Sequence, residues 1–206
     1  MVEKSSRSAG KVKWRRFAIA AVPAVVVAGA LVGLTAKGVL ASSISVSGQE
    51  YTVSASQLDG TGFEQFGTWI PGGQANVPDP AGSGTNGTLV MESAMQNADL
   101  YNLCQQVTVG PFTLTLTAGS ATDPAVAQNL IVDAASQSGS SAIFTNISIG
   151  NDASTLTEDP GVVGAPGSFG QQADKVTIND LVQKTWLTTA GTFTLPDLNL
   201  GFGGTC

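Results

Sequence analysis

The chain of 206 residues contains no histidine. That removes Ser-His-Asp and Cys-His activation of a nucleophile, where an imidazole must carry the proton, and every histidine-ligated metal site. The nucleophile elbow Gly-x-Ser-x-Gly is missing as well. Its nearest string, Pro166-Gly167-Ser168-Phe169-Gly170, has proline where the first glycine belongs. No P-loop, dinucleotide fingerprint or EF-hand loop occurs. Ester hydrolysis would therefore need a Ser-Lys or carboxylate mechanism, with Lys175 or Lys184 as base. Both lysines stand among polar neighbours, as solvated lysines do. Asp152 with Glu158 and Asp159 offers oxygen ligands for Ca²⁺, but the reading that prevails is a solvated loop. No pair of acids is marked for glycoside chemistry. The balance falls against an enzyme, and no catalytic residue, metal or cofactor is expected.

Two other residue types carry chemistry. Cys104 and Cys206 are the only cysteines. In an exported chain an even count predicts one disulfide, against the alternative of two separate thiols. Trp69, in a stretch rich in glycine and proline, is a candidate for binding a carbohydrate or lipid surface, whereas Trp186 reads as core.

The compartment follows from the N-terminus. Residues 1–16 form a basic cytoplasmic segment, with six Lys and Arg against the single acid Glu3. Phe17 to Ala36, FAIAAVPAVVVAGALVGLTA, is twenty residues without a charge. At helical rise it is long enough for the hydrocarbon core of a bilayer, and basic flanks stay inside. Residues 17–41 thus read as an uncleaved transmembrane helix or as a signal peptide cut after Val39-Leu40-Ala41. The first reading gives a single-pass cell-membrane protein with its C-terminus outside. The second gives a secreted one.

Residues 42–206 make one exported domain. Only Lys175 and Lys184 face fourteen Asp and Glu there, a net charge of −12. Nucleic acid is excluded as a partner, because phosphate binding rests on basic patches. Alternating runs such as FTLTLTA (112–118) and AIFTNISI (142–149), between Gly- and Pro-rich turns, predict an all-β fold. A sandwich-like packing is expected, with a short β-solenoid as the alternative. The second rests on a weak repeat, Ala-x-Leu-x-Asn-Leu at 98–103 and Ala-x-Phe-x-Asn-Ile at 142–147. Residues 125–135 and 173–187 fit a helix about as well as a strand. Gly60, Gly62 and Gly67 are expected to break the first strand, and Pro71 to Gly87 to form a long loop.

The strings KVKWRRFAIAAVPAVVVAGAL, VSASQLDGTGFEQ, ADLYNLCQQV, AIFTNISIGNDAS, QQADKVTINDL and KTWLTTAGTFTL together resemble a family of actinobacterial, streptomycete-type exported or membrane-anchored proteins of unknown function. The resemblance spans nearly the whole chain. It implies one membrane segment, one exported domain and, as partner, a small multi-spanning membrane protein. Some members carry the automatic label cholesterol esterase, but the resemblance transfers no catalytic residue. The functional expectation is a non-enzymatic cell-envelope domain that binds a partner or a surface. The alternatives are a lipid or sterol carrier and a lipid-ester hydrolase.

Overall fold

A computed structural model describes residues 49–71, 77–78, 86–109, 112–159 and 161–206. The basic segment, the apolar stretch and most of the Pro71 to Gly87 loop lie outside the described residues. Among the described residues eleven strands carry the fold: β1 (Tyr51–Pro71), β2 (Val77–Pro78), β3 (Asn86–Tyr101), β4 (Leu103–Val109), β5 (Phe112–Ala118), β6 (Ala125–Ser138), β7 (Ser141–Thr145), β8 (Ser148–Asp152), β9 (Phe169–Thr189), β10 (Thr192–Thr194) and β11 (Asn199–Phe202). Among the described residues no helix is long and apolar enough to cross a membrane.

All strands belong to one antiparallel sheet, not to the two packed sheets of a sandwich. β1 pairs with β3, β3 with β6, β6 with β9, and β9 again with β1, so the four long strands close a circuit. A closed sheet buries one face around its own axis and fills it with side chains. Phe63, Met95, Leu130, Val176 and Leu181 meet there, and Phe144 leans in from β7 with its ring centroid 5.5 Å from that of Phe63. The pairings join strands distant in sequence rather than successive coils, which rules out the solenoid. β4, β5 and β11 continue the sheet beyond the circuit, outward from the first residues of β1.

Long strands bend this tightly because each is creased. The side chains that β1 sends into the core cluster are Tyr51, Val53, Ala55, Leu58 and Phe63. Alternation alone would keep every second residue inside; here the step lengthens to three after Ala55 and again after Gly60. β9 repeats the pattern with Ala173, Val176, Ile178 and Leu181, and β3 with β4 does so with Met95, Ala98, Leu100 and Leu103. The lengthened steps align across the sheet. The register sets Ser56 opposite Asn102 on one side and Asp180 on the other. It sets Gly62 opposite Gln96 and Asp174, and these opposite Asn129 and Asn146. Along both rows the backbone turns left-handed, with φ of 50° at Asn102, 48° at Asp180, 49° at Asn129, 64° at Gly62 and 55° at Asn146. Gly, Asn and Asp are the residues that tolerate this region.

Side chains on the outer face tie the creases. Asn102 Nδ2 donates to Ser56 Oγ at 2.8 Å, Ser140 Oγ to Asp180 Oδ2 at 2.7 Å, and Asn146 Nδ2 to Asp174 Oδ2 at 2.6 Å. Inside, Gly60 lets neighbouring strands approach: a Cβ there would fall 2.6 Å from Met95 Sδ. β1 therefore runs through the three glycines that were expected to break it. Residues 125–135 and 173–187 are both strand. The short repeat has a different meaning from a solenoid: Asn102 and Asn146 are each the left-handed residue of a crease.

A β-branched residue cannot take this conformation without strain. Asn102→Val is expected to lower stability by about 1–2 kcal/mol, and Asn102→Gly by much less. Equal urea midpoints for the two variants would contradict the crease.

Candidate binding surface

β4, β5 and β11 form a flap with two unlike faces. Alternation in FTLTLTA puts Phe112, Leu114 and Leu116 on one side and Thr113, Thr115 and Thr117 on the other. Cross-strand partners share a face, so Leu116 stands in a row with Gln105 and Leu200, and Leu114 in a row with Val107 and Phe202. The inner part of this apolar face packs on the barrel core through Val107 and Leu116. It leaves a cavity of only about 40 Å³ beside Tyr51, Leu114 and Leu200. The outer part is open to solvent, with Leu200 60 % exposed, Phe112 66 % and Phe202 81 %. Between Leu100 and Thr122, and again from Leu198 onward, no side chain is charged.

The threonine face is tied down by the chain end. Thr115 Oγ1 donates to the Gly203 carbonyl at 2.9 Å, and the Cys206 amide donates to Gln106 Oε1 at 3.3 Å. Cys206 is bonded to Cys104, with Cα atoms 5.5 Å apart. The bond does not clamp an edge strand directly onto the Cys104 strand. β11 pairs with β5, and the tail crosses β5 to reach Cys104 in β4, while Thr192–Thr194 pairs with β6 on another edge.

The other residues with candidate chemistry are dispersed. Trp69 lies half-buried near the end of β1, its ring so close to Gly87 that a Cβ there would fall 2.4 Å away. Trp186 is half-buried on β9. Lys184 Nζ donates to Thr52 Oγ1 at 2.8 Å on the surface. Lys175 borders an open polar groove of about 340 Å³ with Asp59, Thr61, Asn97 and Asp99. Ser168 sits in a strap, residues 153–168, where its carbonyl accepts from the Ala153 amide. Asp152 begins that strap and accepts from the Ser154 and Gly167 amides, bonds that hold its carboxyl below the usual range. Its oxygens are thus spent on the turn. Among the described residues no three acids or cysteines gather as a metal site.

Three acids that sequence reasoning did not single out are covered by the fold, Glu64 and Asp133 buried and Glu92 half-buried. Glu64, on the outer face of β1, lies under the strap and is fully buried. Its Oε1 accepts from the Asp159 amide at 2.7 Å, while Oε2 has no hydrogen-bond partner. Burial raises its carboxyl, and the backbone bonds from the strap offset part of that rise. Glu92 and Asp133 face each other across β3 and β6. Burial pushes Asp133 up to about 6. Burial and then the Asp133 charge push Glu92 up to about 7. Burial likewise lifts Tyr51 to about 12, and its hydroxyl donates to Thr188 Oγ1 at 2.6 Å.

Fold and surface together define a creased, closed β-domain carrying a disulfide-tied, two-faced flap. A family of unknown function (DUF6230) matches residues 47–206, and the chain belongs to that family. Neither a curated protein nor a solved structure matches it.

Proposed function

We propose that the protein is a non-enzymatic component of the cell envelope. Residues 17–36 hold it to the cytoplasmic membrane, or export it if cleaved after Ala41, and the domain outside binds through its flap. The observation that carries this reading is the uncharged apolar face of Phe112, Leu200 and Phe202 in a domain whose net charge is −12. Scattered exposed apolar residues are ordinary, but an apolar face set apart from all charge marks an interaction site. The actinobacterial origin and the small multi-spanning partner implied by the resemblance belong to the same proposal.

The alternatives fit the geometry less well. A carrier encloses its ligand in a pocket of roughly 300–1,000 Å³, whereas the apolar cavity under the flap holds about 40 Å³. The esterase label asks for an activated nucleophile; without histidine the base would be Lys175 or Lys184, and Lys184 donates to Thr52 on the surface while Lys175 borders an open groove whose lining, among the described residues, holds no serine.

Full-length chain expressed in a Gram-positive host should fractionate with the envelope. Protease added to intact protoplasts should remove the domain, and its protection would overturn the topology. Cholesteryl and nitrophenyl esters should not be turned over. Hydrolysis that survives repurification and vanishes on one Ser→Ala change would overturn the non-enzymatic reading.

A further inference from the structure

We infer that the apolar face of the flap seats in the lipid of the membrane that anchors the chain, with Phe112 and Phe202 entering the boundary between headgroups and acyl chains. This rests on the anchored form of the reading above. It adds that the bilayer surface itself is the occupant of the flap.

Three observations favour lipid. The first is chemical. An occupant of a purely apolar face offers it neither charge nor hydrogen-bond partners, and acyl chains meet that description. The flap residues answer in kind: Phe112, Leu114, Leu200 and Phe202 on one side, and on the other a threonine face in which Thr113 and Thr115 are already hydrogen-bonded, to Thr108 and to the chain end. Thr108 and Thr113 share a hydrogen bond of 3.2 Å, and Thr115 is held by Gly203. The second is electrostatic. Other exposed apolar residues, Ile149 and Phe169 among them, lie on strands that also carry Asp152, Asp174 and Lys175. The flap is where an acidic domain can touch a membrane without bringing an acidic side chain to it. The third is the chain itself. Twelve residues separate Ala36 from Gln49, the first described residue. At full extension they reach about 40–45 Å. They lead directly into Tyr51, whose ring borders the cavity under the flap. The leash therefore enters the domain at the root of the flap, within reach of the bilayer in which the apolar stretch would lie.

The test uses the full chain in phosphatidylcholine vesicles, with the photoreactive analogue benzoylphenylalanine replacing Phe112, Phe202, Ile149 or Val27, one at a time. After irradiation, adducts are read by mass spectrometry. Phospholipid adducts are expected at 112 and 202, several-fold above those at 149. An absence of lipid adducts at 112 and 202, or adducts there to a second copy of the chain, would overturn the inference. Position 27 reports separately on the anchor. Lipid adducts at 27 without any at 112 or 202 would leave the anchor standing and the flap inference refuted. No adduct at 27 would refute the anchor, whatever the flap shows. A second variant guards against local misfolding: Leu200→Asp, with the analogue at 202, should lose most of the lipid adduct while the disulfide still forms. An unchanged adduct in this variant would also count against the inference.

Discussion

Cys206→Ser is expected to lower the stability of the domain by about 2–5 kcal/mol, the range for a native disulfide closing a long loop. The bond joins residues 102 apart in sequence, so its loss frees a loop of roughly that length in the unfolded chain. The damage should be uneven. β11 has four residues, and among the described residues its one strand neighbour is β5. Without the covalent tie, the tail keeps the bond from Thr115 to the Gly203 carbonyl, the residue 206 amide bond to Gln106 Oε1 and the Gly203 amide bond to the Thr113 carbonyl. Amide hydrogen exchange should therefore rise first across β11 and β5, while the paired centres of β1 and β9 stay protected. Cys104→Ser should match it, and the double variant should be no worse than either single one. A Cys206→Ser protein with the parent's urea midpoint would show that the bond contributes nothing to stability.

The second large effect is a dependence on pH opposite to that of most acidic proteins. Asp133 rises from 3.8 to about 6 and Glu92 from 4.5 to about 7. A carboxyl whose pKa is higher folded than unfolded favours the fold while it is protonated. That contribution is complete below the unfolded value, near pH 4, and is lost as pH climbs through about 6 to 7. Glu64 shifts in the same direction. Glu92 is half-exposed, so solvent screening reduces its share. For the pair a loss of about 3 kcal/mol between pH 4.5 and pH 8 is expected. Asp133→Asn should recover much of this at pH 8 and change little at pH 4.5. Urea midpoints for both proteins at the two pH values decide it. A parent midpoint that rises or holds from pH 4.5 to 8 would contradict the burial of these acids.

The strands of this fold were legible wherever they ran uncreased. FTLTLTA is strand β5 with the face division that its alternation announces. The creased segments misled for a physical reason. In β9 the buried residues fall at 173, 176, 178 and 181, steps of three, two and three. Steps of three also belong to a helix, so Val176, Ile178 and Leu181 satisfied both periods. The information that distinguishes them lies in the gaps: Asp180 takes the left-handed kink itself, and Asp174 accepts from Asn146, the left-handed residue of its row. β3 and β4 read as one strand from Leu89 to Val109 for a related reason. They do share one register on β1, and only Asn102 turns between them. Closure of the sheet was not legible, because it depends on β1 pairing with β9, and local pattern says nothing of partners that distant. The flap's composition was visible in the sequence, but its exposure was not. Phe112 and Leu116 alternate alike, and packing alone decides that one lies in the open and the other on the core. Glu64, Glu92 and Asp133 were three of fourteen acids without a mark, since what sets them apart is the strap and strands that cover them.

The circuit closed by β1 and β9 also bears on the time order of folding. Tyr51 pairs with Thr185 and Phe66 with Gly170, so the first long strand waits on the last one. A chain emerging from its N-terminus can form the β1–β3 pairing early, but the barrel cannot shut until β9, which ends at Thr189 against Tyr101 for β3, has followed. Such non-local topology places refolding toward the millisecond-to-second end of small-domain rates, because loop-closure entropy is spent before the distant contacts return it. Until then β1 offers an open strand edge for pairing. A chain in passage through a membrane would thus remain unfolded over most of its length, and closure would come as a late, concerted event on the far side.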